Sequence, residues 1–237
     1  MHWTGGTWVP ASTNTLSNLE SIAGSGPADI WAVGEKGTIL HSTGAAWAVV
    51  PVGLTDNLNG VWVLGAKNAW AVGDKGAIIH WSGTDWTPVI SGIPTSLNGV
   101  WGSADNDVWA VGDAGIALHW DGNAWAKVDA GTPSRLNAIW GSDAKNVWAV
   151  GEGSTILHWD GAAWSSIALA TQQYLFGVHG TAANDVWVVG TWTTMHWNGT
   201  AWTSVYTDAI GPEAVWGSSP GDVWAVGSMG TILHLSP

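Results

Sequence analysis

The sequence predicts an all-β protein, a six-bladed β-propeller of four-stranded antiparallel blades, with residues 1–237 as one domain. Three observations carry that prediction. A "WAVG"-type motif places its tryptophan at Trp31, Trp70, Trp109, Trp148, Trp187 and Trp224, at intervals of 39, 39, 39, 39 and 37 residues. A period in this range marks a stacked or ring-closed repeat, and six such units account for all but a few of the 237 residues. The composition is 46% hydrophobic and only 10% charged, with 33 glycines and 22 tryptophans, which supplies a large core and suits strands and tight turns rather than helices.

Within one unit the elements follow in order. "LNGVW" (Leu97 to Trp101) is an apolar first strand, followed by the turn "GSADN". "DVWAVG" (Asp107 to Gly112) is the second strand, closed by the turn "DAG". "IALHW" (Ile116 to Trp120) is the third, ended by the hairpin pair Asp121-Gly122. "AWAKV" (Ala124 to Val128) is the fourth, followed by a polar loop with Gly131 and Pro133. No window sustains a 3.6-residue period.

The termini extend the pattern. "TILHLSP" stops after a third strand, while "GTWVP" (Gly6 to Pro10) matches a fourth. The N-terminal strand is therefore expected to pair into the last blade and close the ring. The opening "MHWTGGTW" begins in mid-repeat and has neither a basic segment nor an apolar one, so it is not a signal peptide. A leader or flanking domain removed from this end is the expectation it raises.

Most tryptophans fall into four slots. The first strand ends in Trp62, Trp101, Trp140 or Trp216, with Ala23 and His179 in the remaining units; the second-strand slot is filled in all six. Trp3, Trp81, Trp120, Trp159 and Trp197 end the third strand, and Trp8, Trp47, Trp86, Trp125, Trp164 and Trp202 open the fourth. Large indoles suit the wedge between neighbouring blades. Trp192 lies outside these slots, in the turn "GTWTT", and is the candidate for an exposed stacking residue. His2, His41, His80, His119, His158, His196 and His234 recur before the third-strand end, one per repeat, so no local cluster suggests a metal. Their expected partners are a buried indole or a turn backbone. Asp29, Asn68, Asp107, Asn146, Asp185 and Asp222, two residues before the second-strand tryptophan, read as turn caps.

Charge narrows the partners. A net charge of −12 with five lysines and one arginine, Arg135, lacks the basic footprint that nucleic acids and anionic membranes require. No apolar run reaches the roughly 20 residues of a membrane helix. The absence of cysteine rules out disulfides and thiolate metal sites, and fits a cytosolic protein or a secreted one stabilised by other means. No cofactor is expected, and a monomer is.

"WAVGEKGTILHSTGAAW" (Trp31 to Trp47) resembles the BNR/Asp-box class of propeller repeats, and most of all the repeats of the photosystem II assembly-factor family. The resemblance runs through every unit, but it implies a fold rather than a function. The Asp-box is met loosely: Asp-Gly stands in "HWDGNAW" and "HWDGAAW", and Thr43-Gly44 or Ser82-Gly83 elsewhere. Sialidases of this class use an arginine triad, which one arginine cannot form. WD-repeat propellers are less similar, since Trp120-Asp121 and Trp159-Asp160 lack the partnering Gly-His. Six-bladed fucose-binding lectins share the size and a "WDGxxW" hairpin, but not their arginine sites.

Two turn sets repeat closely and two vary. The variable second-to-third-strand turns and fourth-to-first-strand loops should share one face, where propellers place recognition. That face would carry Glu35, Asp74, Asp113 and Glu152 as an acidic arc, with Trp192 beside it. The first reading is a non-enzymatic, lectin-like propeller binding glycans multivalently by aromatic stacking. The alternative is a protein-interaction or assembly scaffold using the acidic face; a third is a trimmed or engineered ring with no selected ligand. Catalysis would need paired carboxylates or a nucleophile and base within one blade, and Tyr174 and His179 are poor material for it.

Overall fold

A computed structural model describes residues 2–3, 6–44, 46–169, 172–206 and 211–235. Among them are six antiparallel sheets arranged as propeller blades. Blade 3 shows the plan, with strands Leu97–Ala104, Asp107–Gly112, Ile116–Trp120 and Trp125–Asp129 hydrogen-bonded in chain order. Blades 1, 2, 4 and 5 repeat it, with first strands Leu19–Gly26, Leu58–Gly65, Leu136–Asp143 and Leu175–Ala182. Blade 6 has Pro212–Ser219, Asp222–Gly227 and Ile232–Leu235.

The second strand explains why an uninterrupted apolar run forms a strand. Its residues alternate between two buried faces, each covered by another blade. Trp31, Val33 and Ile39 of blade 1 pack with Leu58, Val61, Ala69 and Ala71 of blade 2; Trp70, Val72 and Ile78 then face Leu97, Val100 and Ala110 of blade 3. The second-strand tryptophans of blades 1 to 5 are at most 2% exposed. Each of the first four also meets two indoles of the following blade. Trp109 lies 4.8 Å from Trp159 and stands edge-on to Trp164 at 5.2 Å. Such pairs add about 0.5–1.5 kcal/mol beyond the area they bury.

The first strand runs further than its sequence suggests. "GSADN" reads as a turn, yet pairing continues to Ala104↔Asp107, with an irregularity between Gly102 and Ala104. A bulge absorbs one extra residue and keeps the strand paired, so the turn shrinks to residues 105–106.

The two chain ends depart from expectation. His2–Trp3 pairs with Trp8–Val9 in its own two-stranded sheet, in the register Trp3↔Trp8. Among the described residues, Ile232–Leu235 pairs with Asp222–Gly227 alone, so blade 6 has three strands. The reason lies in His2-Trp3, which fills the same third-strand slot as His234-Leu235. It gives Trp8–Val9 a partner a few residues away, and a short loop closes at far smaller entropic cost than one spanning the chain. The outward faces of blades 1 and 6 are left uncovered.

Candidate functional site: the turn face

The second-to-third-strand turns and the fourth-to-first-strand loops share one face in all six blades, joined by backbone hydrogen bonds. The N–H groups of Glu35, Asp74, Asp113, Glu152, Thr191 and Ser228 donate to the carbonyls of Asn18, Asn57, Ser96, Arg135, Tyr174 and Gly211. Five turns form a three-residue 3-10 turn directly after the paired glycine, such as Asp113–Gly115. Their tips are left-handed: Lys36, Lys75, Ala114 and Met229 have φ of 55–56°, and Gly153 has 64°. In blade 5 the pair Gly190↔Thr193 leaves a two-residue loop, and Trp192 takes the left-handed position at φ 58°. Glycine after the tip is required where the neighbouring loop presses on it, since a Cβ at Gly115 would lie 1.8 Å from the carbonyl oxygen of Thr132.

The four carboxylates of the acidic arc sit one residue before the tips and are half-buried. Glu35 accepts from Asn18 Nδ2 at 2.9 Å; Asp74 accepts from Asn57 at 3.0 Å and Asn59 at 3.1 Å. Asp113 accepts from Asn98 at 2.9 Å and pairs with Arg135 Nε at 3.1 Å. Glu35, Asp74 and Asp113 therefore tie their turns to the innermost strands and the residues leading into them, and the tips beyond are exposed. Trp192 is 53% exposed and Met229 88%. Tyr174, whose carbonyl receives Thr191 N–H, is exposed beside the same turn. The sequence singled out Trp192 by its place outside the slots. Met229 and Tyr174 gave no comparable signal, because a tip and a loop end show their exposure only in three dimensions.

The histidines behave differently from expectation. Each of the five in blades 1 to 5 meets the Asp or Asn of its own blade: His41–Asp29 3.0 Å, His80–Asn68 3.0 Å, His119–Asp107 2.7 Å, His158–Asn146 2.7 Å and His196–Asp185 2.6 Å. The imidazole packs flat or tilted on the second-strand indole, as in Trp31–His41 at 3.9 Å and Trp187–His196 at 4.3 Å. The cause is register, because Trp109 and His119 are direct cross-strand partners. The Asp or Asn is thus a shared acceptor as well as a turn residue. Ser25, Ser103, Thr181 and Ser218 donate hydroxyls to Asp29, Asp107, Asp185 and Asp222.

Serine, histidine and aspartate lie together here without forming a catalytic triad. A triad needs the imidazole between hydroxyl and carboxylate so that it can take the hydroxyl proton. Here the carboxylate stands in the middle and accepts from both. Burial disfavours the charge on Asp107, but the bonds from His119 and Ser103 outweigh it and hold the carboxyl below its ordinary range; Asp29 is lowered in the same way. Burial pushes His80, His158 and His179 below the ordinary imidazole value. Among the described residues, no three histidine or carboxylate side chains gather as metal ligands, and no helix is long and apolar enough to cross a membrane.

No protein-family model matches the sequence, and no curated protein sequence does. The Asp-box kinship implied by the repeats thus has no family match behind it. Solved structures do match. YCF48 bound to D1 peptide superposes with a TM-score of 0.77 at 19% identity, over 98% of this chain and 83% of the other. YCF48 from Cyanidioschyzon merolae gives 0.76 at 18% identity, over 98% and 86%. The WD40 β-propeller domain of Doa1 gives 0.55 at 12% identity, over 92% of each chain. At these identities the likeness establishes the fold: the chain is a β-propeller of six blades.

Proposed function

We propose that this chain is a non-enzymatic protein-interaction scaffold whose turn face holds a polypeptide segment. The observation that carries the reading is the set of six left-handed tips carrying five residue types, with Trp192 and Met229 exposed over blades 5 and 6. Left-handed non-glycine residues cost about 1–2 kcal/mol each. Keeping tryptophan and methionine there, where glycine would be free of strain, is how strain marks a functional surface. Tyr174, Trp192 and Met229 offer apolar contacts over blades 5 and 6, while blades 1 to 4 set the carboxylates Glu35, Asp74, Asp113 and Glu152 among the cations Lys36, Lys75 and Arg135. A segment with apolar side chains at one end and polar ones of both charges at the other suits both. The peptide bound to one of the solved structures supports a protein ligand. Glycan recognition gains no support from the comparisons, and the second-strand indoles of blades 1 to 5 that could have stacked on sugars are shut between blades.

The test is a peptide array probed with the native protein, Trp192→Ala, Met229→Ala and the opposite-face variant Asn123→Ala. Peptides held by the native and Asn123→Ala proteins and released by Trp192→Ala or Met229→Ala are expected. Equal retention by all four, or a blank array beside saturable binding to glycans, would sink the proposal.

A further inference from the structure

The uncovered faces of blades 1 and 6 carry a matched pair of features. At the four interfaces in the middle of the array, the aromatic residue paired with the second-strand tryptophan meets a glycine of the next blade, either at its carbonyl or in the space its missing side chain leaves. Trp62 donates its indole N–H to the Gly102 carbonyl at 3.0 Å. A Cβ at Gly141 would lie 2.6 Å from the Trp101 ring, and one at Gly180 would lie 2.5 Å from Trp140. His179 reaches the Gly217 carbonyl at 3.0 Å. Blade 1 places Ala23 opposite Trp31, with no ring to fit, and the facing position in blade 2 is Val63 rather than glycine. Ring goes with glycine, and no ring goes with valine.

Blade 6 carries Trp216 in the ring slot, and blade 1 carries Gly24 in the receiving slot. Trp216 is 60% exposed, whereas Trp101 is 3%. The rest of both faces agrees. On blade 6, Trp224, Val226 and Ile232 are exposed, while their equivalents Trp70, Val72 and Ile78 are buried. On blade 1, Leu19 and Ile22 are exposed, while Leu58 and Val61 are buried. The residues uncovered at one end are those that meet, elsewhere, the residues uncovered at the other.

We infer that the two faces are halves of a sixth inter-blade interface, keyed by Trp216 into Gly24, and that the arc closes on itself through it. Closure removes a large apolar surface from water and brings the Met229 turn beside the Glu35 turn, completing the recognition face.

A chain without cysteine makes a direct test possible. Along the innermost strands, equivalent residues of neighbouring blades nearly touch: a Cβ at Gly99 would lie 3.3 Å from the Ala138 Cα, and one at Gly177 would lie 3.4 Å from the Ala214 Cα. That approach keeps the two Cα atoms within the separation a disulfide spans. Ala214 holds this position on blade 6 and Ser21 holds it on blade 1, where its hydroxyl accepts from the Val61 N–H of blade 2 at 3.2 Å and its backbone is left towards the uncovered side. The variant Ser21→Cys/Ala214→Cys is oxidised beside Gly177→Cys/Ala214→Cys, which bridges an interface already formed. Intramolecular disulfide in both is expected, seen as monomer-sized protein with no free thiol. Free thiols in the first variant with the second fully oxidised would overturn closure. So would a ladder of linked copies, which would assign the faces to separate molecules. Adding Gly24→Val to the first variant is expected to slow oxidation, and adding Trp216→Ala as well to restore it, as the Ala23–Val63 pair implies. No rescue would remove the key from the proposal.

Discussion

Replacing Gly141 with valine closes the space that Trp101 occupies. A Cβ there meets three ring atoms of Trp101 at 2.6–2.9 Å, and Trp101 is only 3% exposed, so the indole has nowhere to retreat. Overpacking of this kind costs about 1–3 kcal/mol, and a branched side chain against a rigid ring belongs at the upper end. Trp101→Ala alone leaves a cavity worth about 3–5 kcal/mol. The double variant recreates the Ala23–Val63 pairing, with valine partly refilling the cavity and no ring left to clash. Its cost should fall short of the sum of the single costs by about 1–3 kcal/mol, the coupling seen for residues in contact. Chemical denaturation of the four proteins, followed by far-UV circular dichroism, measures it. Additivity within about 0.5 kcal/mol would refute the ring-and-glycine rule, and the pairing of Trp216 with Gly24 would lose its foundation.

Further outcomes follow from the blades themselves. Asp107→Ala, which strands His119 and Ser103, should cost about 2–4 kcal/mol, judged from hydrogen bonds to a charged group; Asp107→Asn should cost clearly less, since Asn68 and Asn146 hold the same post, and equal losses in denaturation would count against the shared-acceptor role. Stability should decline in two acid steps. His80 and His158 have folded values below the ordinary 6.5, so their contribution is complete above 6.5 and lost as pH falls beneath it; Asp29 and Asp107, lowered from 3.8, act likewise below 3.8. A melting temperature flat from neutral pH down to pH 4 would contradict the first step. Asn146→Asp should raise the His158 value, read by NMR titration of the ring, and an unchanged or lower value would contradict it. Met229→Gly should stabilise the fold by about 1 kcal/mol, because it relieves a left-handed methionine that buries almost nothing; a loss in thermal denaturation would show that the methionine packs.

The sequence makes the blade plan legible because every unit spells it. Trp109 and its equivalents announce buried strands, Asp121-Gly122 a hairpin, and the motif interval the blade count. What it hides depends on register and on contacts across blades. His119 faces Asp107 and lies against Trp109 only because the strands align at that residue, and a list of recurring histidines does not contain the alignment. The bulge after Gly102 hides inside a string that reads as a turn. At the N-terminus, two valid partners competed for Trp8–Val9, and the local one formed the sheet. Of the candidate site, Trp192 stands out by breaking the pattern. Glu35, Asp74 and Asp113 stood out by charge, yet their asparagine partners make them anchors of the turns.

Because the left-handed tip is held by the hairpin around it, lysine, alanine, glycine and methionine already interchange there on one backbone, and tryptophan takes the same φ region on the shorter turn of blade 5. The turn face is therefore an array of addressable sockets at fixed spacing. A new side chain can be grafted into one blade while the other five stay as they are, so specificity can be rewritten by single substitutions without refolding the frame.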